Sequence, residues 1–478
     1  LINDNKKKIL LKEIHLKKEE YFNSRALDES IKILVEEFEL LGFNFIRVFP
    51  KIKKDKNLVN ILFSIKEGSE KYINKITIIG NTRTNDNVIR RELSLLEGDP
   101  FNKSKLTTSI SALRRLGYFQ SVNYRLDEID SNLIDIILDV KETNTGSVSF
   151  GVGYSSLNNT SFSFGLNEKN FLGEGKKVRF QADLSEKKST YNIGVTEPYF
   201  LDRHISLYGD IFNQETENTK GDIKSSSSGF GFGIGFTNES LTQSFKYKLS
   251  TSETTTSSTS TAASETGEEG IEIITSSITH SISKDTRDSY FNPTSGYNWK
   301  FSNTLAGIGG DATFYKSILN SRIYYPIDYG DYVFGFKSGA GFITAIDDKI
   351  TSSNRFFLGG KKLRGFDNRG LGPRDTGNNQ AVGGNNFYNF SFELKSNKFM
   401  PEDTGLEWLV FSDIGSIWGT DYKTNVKGFD DIEPRITSGF GLAMVTPVGP
   451  LQMIWGFPVQ SQDYDIEENF QFSIGTSF

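Results

Sequence analysis

"VSFGVGYSSLNNTSFSFGLNEKNFLGEGKKVRFQADL" occupies residues 148–184, and its reading decides the fold. Apolar and polar residues alternate in VSFGVGY, FSFGL and VRFQADL, as in strands with two unlike faces, and polar turns divide them. The rhythm continues in YNIGVTEPYF, GFGFGIGF, FKYKL, YNWKF, YVFGFKSGAGF, FYNFSFEL and FQFSIGTSF. Residues 145–478 give about 16 strands at roughly 20 residues per strand and loop.

Composition says where such strands sit. Hydrophobic residues make up only 36% of the 478, yet there are 39 Phe, 19 Tyr and 45 Gly. A transmembrane barrel explains this mixture, because only every second residue of a strand meets lipid. A soluble β-sandwich is disfavoured by the aromatics on the strands and by the ending NFQFSIGTSF, where Phe470, Phe472, Ile474 and Phe478 share one parity. No apolar run reaches the ~18 residues of a transmembrane helix. Gly229, Gly231, Gly233 and Gly235 alternate with Phe and Ile, the pattern of a strand and not of a phosphate-binding loop. The Ser/Thr-rich tract 252–270 is expected to be a mobile loop outside the membrane.

Several chemistries find no support. The chain has no cysteine, and its three histidines, His15, His204 and His280, lack ligand-like spacing. No G-x-S-x-G elbow occurs. No metal, no cofactor and no enzymatic activity are expected. Residues 1–144 carry 25 Lys and Arg against 22 Asp and Glu, and the remainder 29 against 38, so neither part has the basic excess of a nucleic-acid binder.

Ahead of residue 145 the period is different. ALDESIKILVEEFELLG, residues 26–42, spaces Leu27, Ile31, Leu34, Val35, Phe38 and Leu41 as one helix face closed by Gly42. Two extended runs follow, FIRVFPKI and LVNILFSIKEG, with the polar turn KKDKN between them. The pattern returns 75 residues later: Gly42 and Gly117, Leu58 and Leu133, and IKE at 65–67 and VKE at 140–142 all keep that offset. These landmarks mark a tandem repeat of order β-α-α-β-β, the first copy lacking its leading strand. The expected domains are 1–69, 70–144 and 145–478, in a chain that begins as a mature or truncated product. ITIIGNTRT, LEGDPF and LRRLGYF make each copy resemble the POTRA module, a periplasmic polypeptide-binding domain whose sheet edge could take a partner strand.

Between two strand-like runs lies LGGKKLRGFDNRGLGPRD, residues 358–375, continuing to AVGGNNFYNFSFEL. With DTRDSYFNPTSGY at 285–297, FSDIGSIWG at 411–419, TPVGPLQMIWGFPV at 446–459 and the C-terminal FQFSIGTSF, it closely resembles the BamA family of outer-membrane barrel-assembly proteins, within the superfamily of POTRA-barrel transporters. The resemblance implies tandem small α+β POTRA domains in the periplasm followed by an all-β antiparallel barrel in the bacterial outer membrane. It implies that the sixth outer loop re-enters the lumen with its tip at Leu363, Arg364, Gly365 and Phe366, Leu363 standing where the family has Val or Ile. Strand parity then offers Arg364 two carboxylates. Glu393 lies opposite the lipid-facing Tyr388, Phe390, Phe392 and Leu394; Asp413 lies opposite Trp408, Val410, Ile414 and Trp418, although Leu409 and Phe411 share its side and weaken that choice.

In the resembled family the barrel closes at a weak seam that opens sideways, and an incoming strand is templated there. Here the first strand would run through Ser147, Val148, Phe150, Gly151, Val152, Gly153 and Tyr154, and the last from Phe470 through Phe472, Ile474 and Gly475 to Phe478. The implied partners are unfolded outer-membrane protein clients, periplasmic lipoprotein subunits and outer-membrane lipid. A two-partner-secretion transporter of the same superfamily is the alternative.

Overall fold

A computed structural model describes residues 14–16, 21–40, 45–56, 58–66, 68, 70–156, 159–217, 223–238, 240–256, 270–290, 292–347, 350–401, 404–421, 424–446 and 449–475. Leu1–Thr145 with Lys169–Gly175 form one compact unit; Gly146–Glu168 with Lys176–Phe478 form another.

The first unit contains both copies of the repeat. In the first, helix Ser24–Leu40 packs Leu34 and Phe38 with Ile14 and Ile46, and strands Arg47–Asp55 and Leu58–Lys66 pair antiparallel. Gly42, expected to close that helix, lies outside the described residues. The second copy runs Tyr72–Ile79, a short helix Asp86–Arg90, helix Lys103–Leu116, Phe119–Glu128 and Leu133–Glu142. Tyr72–Ile79 pairs parallel, and Phe119–Glu128 antiparallel, with the central Leu133–Glu142. Leu58 and Leu133 each open the last strand of their copy.

Local chemistry sets the long helix. The Asn102 side chain accepts the Lys105 N–H at its start, and Gly117, at φ 70°, donates its N–H to the Arg114 carbonyl at its end. Leu106, Ile110 and Leu113 then fall on one face and enter a core with Ile73, Ile136 and Leu138.

The turn after ITII is tied to the end of the parallel central strand beside it. The Thr82 hydroxyl and the Arg83 and Thr84 N–H groups donate to the Glu142 carboxylate at 2.9, 3.0 and 2.6 Å. Burial alone would raise this carboxyl, but the hydrogen bonds from Thr84, Thr82 and Arg83 outweigh it and hold Glu142 at about 2.

The second unit is a closed antiparallel barrel of sixteen strands among the described residues. In order they are Gly146–Ser155, Asn159–Phe171, Lys176–Ser185, Lys188–Glu197, Ile205–Glu217, Ile223–Asn238, Leu241–Thr256, Glu272–Asp285, Gly296–Gly310, Phe314–Ile327, Tyr332–Ala345, Asn386–Ser396, Leu406–Trp418, Arg435–Thr446, Gly449–Gln460 and Phe470–Gly475. Closure removes free sheet edges, and outward-facing Phe230, Phe232 and Phe236 alternate with inward glycines. The glycines make room: Asp210 and Lys246, on the strands flanking Gly231, form an ion pair at 2.6 Å, and a Cβ on Gly231 would lie 2.5 Å from the Lys246 side chain.

The strand Leu241–Thr256 corrects the reading of 252–270 as a loop. Ser252–Thr256 pair with Ile223–Ser227, so the ladder outlasts its apolar pattern; 257–269 lie outside the described residues. Thr and Ser satisfy their backbone groups in a strand without needing an apolar face.

Glu142 generates a pH test. Its folded pKa is depressed, so its contribution is present above the unfolded value near ~4.3 and is lost as pH falls toward about 2. In the whole chain, amide-exchange protection at Arg83 and Thr84 is expected to fall across that window. Glu142→Gln should show no such step and should be less protected at neutral pH by about 1–3 kcal/mol. A step that survives the substitution rules the assignment out.

Candidate functional site

Residues 350–385, between strands Tyr332–Ala345 and Asn386–Ser396, fold against the inner wall of the barrel. Gly365–Phe366 pair antiparallel with Glu467–Glu468, and Arg374–Asp375 with Val426–Lys427. Phe356, Leu358, Leu363, Phe366 and Leu371 of the loop share one buried cluster with Phe314, Ile343, Phe387 and Ile417 of the wall. Leu363 and Phe366 are completely buried, which stabilises the docked loop by about 1.5–3 kcal/mol for each side chain.

Glycine is required at the tip. Gly365 has φ 88°, and a Cβ there would lie 2.7 Å from the Thr437 methyl; one on Gly456 would lie 2.7 Å from the Gly365 nitrogen. This contact seats Leu363 and Arg364 on the strands beside it.

Arg364 makes five hydrogen bonds. Its backbone N–H and Nε donate to Asp413 Oδ2 at 3.0 and 2.8 Å, and Nη2 donates to Oδ1 at 2.7 Å. Nη1 donates to Glu393 Oε2 at 2.8 Å, and Nη2 also reaches Ser391 Oγ at 2.9 Å. The guanidinium lies over Phe411, 3.6 Å from the ring centre, while Lys337 Nζ stands 3.3 Å from Glu393 Oε2. Two cations thus face two carboxylates, and Asp413 is only 1% exposed. The fork-shaped guanidinium matches Asp413 bidentately, a geometry an ammonium cannot supply.

Parity offered Glu393 and Asp413 as alternatives; the structure brings both to Arg364. The objection that Leu409 and Phe411 share the side of Asp413 is corrected: the Phe411 ring is the platform on which the guanidinium stacks. Ser391, Lys337 and Phe411 were missed as members. Ser391 and Phe411 could have been found from the same alternation, two residues before Glu393 and Asp413. Lys337 comes from the preceding strand, opposite Ser391 in register, which no local pattern reveals.

The loop also touches the end of the barrel. The Asp367 N–H donates to the Ile466 carbonyl, the Ile466 N–H to the Gly370 carbonyl, and Gln471 Nε2 to the Phe366 carbonyl at 3.1 Å. Gln471 belongs to the last strand.

At the seam, Ser155, Tyr154 and Gly153 face Ser473, Ile474 and Gly475, three register pairs among the described residues. The Ser156 N–H donates to the Phe472 carbonyl at 2.9 Å, and the Tyr154 and Phe472 rings stand 6.3 Å apart. The first strand is paired along all ten residues on its other edge, leaving Ser147, Val148, Phe150, Gly151 and Val152 without a described partner at the seam. Gly475 bends at φ 119°, and a Cβ there would lie 2.2 Å from the Val152 carbonyl oxygen. The last strand, expected to reach Phe478, is described only as Phe470–Gly475; Phe478 lies outside the described residues.

His280 stacks on Phe245 and contacts Gln243, and His204 packs against Tyr199 with the rings tilted, so each takes part in packing on the barrel. Among the described residues no three metal-ligating side chains come together.

A sixteen-stranded barrel behind two α+β repeats, with a loop bound in its lumen, defines an outer-membrane barrel of the POTRA-bearing class. The chain belongs to the Omp85 superfamily, whose domain matches residues 170–478; a surface antigen variable number repeat, the POTRA module, matches 3–68 and 71–143. It is 29% identical to outer membrane protein assembly factor BamA of Neorickettsia risticii over 95% of this chain and 61% of that protein. Against the BamA of Nitratidesulfovibrio vulgaris it is 28% identical over 98% and 60%. The chain therefore spans about three fifths of the length of these curated relatives. The fold matches the crystal structure of Haemophilus ducreyi BamA lacking POTRA domains 1–3, with TM-score 0.87, 24% identity and coverage of 98% and 97%. CdiB from Acinetobacter baumannii matches at TM-score 0.55 and 14% identity, covering 98% of this chain and 85% of that one.

Arg364 and Arg369 provide an internal comparison, since Arg369 stacks on Phe357 and sits on no carboxylate in the described contacts. Arg364→Ala leaves Asp413 buried and uncompensated and is expected to destabilise the barrel by about 3–5 kcal/mol. Arg369→Ala should cost less. Heat-modifiability of the barrel on gels measures both, and equal shifts contradict the assignment.

Proposed function

We propose that this chain is the barrel-proximal part of an outer-membrane assembly factor that folds and inserts other barrel proteins by templating their strands at the seam. The observation carrying this reading is the contrast in the first strand, which among the described residues has ten register pairs on one edge and three on the other. In lipid each unpaired backbone group costs several kcal/mol, so a part-free edge in the bilayer is a strong template for an incoming strand. Strand exchange needs no covalent step, no metal and no cofactor.

In this reading the modules 1–69 and 70–144 face the periplasm and 145–478 span the outer membrane. Clients are unfolded outer-membrane proteins, periplasmic lipoprotein subunits dock on the modules, and outer-membrane lipid surrounds the barrel. The named assembly-factor relatives support this reading. Leu363, Arg364, Gly365 and Phe366 hold the loop, and through Phe366 and Gln471 they brace the last strand beside the exchange site.

Cysteine exchange tests the seam directly, because the chain has no cysteine of its own. Ser155→Cys with Ser473→Cys, placed opposite each other in register, should form a disulfide under oxidising conditions in the full-length protein. Assembly of many barrel proteins in the host is expected to stop and to recover with reductant. Normal assembly through a locked seam refutes templating there; loss of a single secreted partner selects a two-partner-secretion transporter instead.

A further inference from the structure

The two ends of the barrel differ in their strained backbone positions: both use short polar residues, Asp202 and Asp328 at 54° and 51° among them, but one end adds bulky ones. At the end where the long loop emerges, the non-glycine residues with left-handed φ are Asn159, Arg369, Asn379 and Asn425, at 58°, 61°, 59° and 57°. Asparagine is the usual occupant, because its short polar side chain bonds locally. At the other end Leu201, Tyr329 and Phe399 sit at 55°, 56° and 69°, in the turns after strands Lys188–Glu197, Phe314–Ile327 and Asn386–Ser396. These bulky side chains bear the backbone strain while their surfaces are 75%, 108% and 83% exposed. Neither intrinsic conformation nor burial within the chain accounts for them.

We infer that these three turn tips are anchors that insert into the phospholipid headgroup boundary at this end of the barrel. The tips lie on three separate turns with charged neighbours between, and partly exposed Phe200 adjoins Leu201 on the first. Asp202 and Asp328 flank Leu201 and Tyr329, and Lys398 beside Phe399 pairs with Asp331 at 2.8 Å and Asp328 at 3.7 Å. A protein partner needs a contiguous apolar centre, which this arrangement lacks. A bilayer boundary accepts isolated apolar side chains at one depth while lysine and aspartate stay in the headgroup region. Aromatic pairs at the adjoining strand ends mark that depth: Tyr199 with His204 at 5.1 Å, and Tyr332 with Trp408 at 6.2 Å. The tips lie one turn beyond them, so the turns themselves are immersed and fix how far the barrel can sink or tilt.

Single substitutions Leu201→Cys, Tyr329→Cys and Phe399→Cys, each spin-labelled in the whole chain in phosphatidylethanolamine–phosphatidylglycerol vesicles, give the depth. The label on Asn425→Cys, exposed at the opposite end, is the aqueous reference. The three tips are expected to be severalfold more accessible to dissolved oxygen than to a water-soluble nickel chelate, relative to that reference. Nickel access equal to the reference overturns the inference, and so does protection from both reagents, which would mean a protein covers them. The triple variant Leu201→Asn, Tyr329→Asn, Phe399→Asn relieves the backbone strain. Its heat midpoint should hold or rise in detergent and fall in vesicles; an equal fall in both also overturns the inference.

Discussion

The lumen of this barrel is organised by one guanidinium. Arg364 is enclosed with Asp413, Glu393 and Lys337, so the buried charges balance, and its five hydrogen bonds leave the loop tip little freedom. A buried ion cluster contributes modestly to net stability because desolvation offsets attraction, but it is strict about geometry. The remaining contacts inherit that geometry. Once Arg364 is fixed, Gly365 must turn against Gly456, Phe366 must enter the apolar cluster, and its carbonyl must meet Gln471 on the last strand.

What was legible in the sequence is what alternation and local motifs encode. Period 2 is a property of every strand, so the barrel and the lumen-facing parity of Glu393 and Asp413 could be read from single segments. The β-α-α-β-β repeats were legible because Gly117 ends a helix by its own conformation and Leu58 and Leu133 keep one offset. Two kinds of fact were hidden. Register between strands is non-local, so nothing in FGFKSGAGF announces that Lys337 would stand beside Glu393. Alternation also goes silent where a strand carries polar residues on both faces, as in Ser252–Thr256, where the ladder persists without an apolar pattern. Phe411 shows a third limit. Parity placed it beside Asp413, but an aromatic on a polar wall looks like a fault until the cation that stacks on it is present.

The loop and the seam, though adjacent, are mechanically separable. Every loop contact described above lies on strands from Phe314–Ile327 through Phe470–Gly475 or on the connections between them; none lies on Gly146–Ser155. The last strand is held by five register pairs with Gly449–Gln460, by Gln471 and by the segment 466–468 that pairs with the loop. Among the described residues the first strand has ten register pairs with Asn159–Phe171 and three at the seam. Parting the seam would therefore break the three described register pairs and leave the Arg364 cluster whole. In the proposed function the moving side would be the first strand, and the bracing by Leu363, Arg364, Gly365 and Phe366 would keep the opposite lip in place. A loop that instead bridged the seam would make each opening break a buried ion cluster as well, at a cost of several kcal/mol. With the loop's described contacts off the first strand, the proposed strand exchange at the seam would leave the lumen cluster fixed.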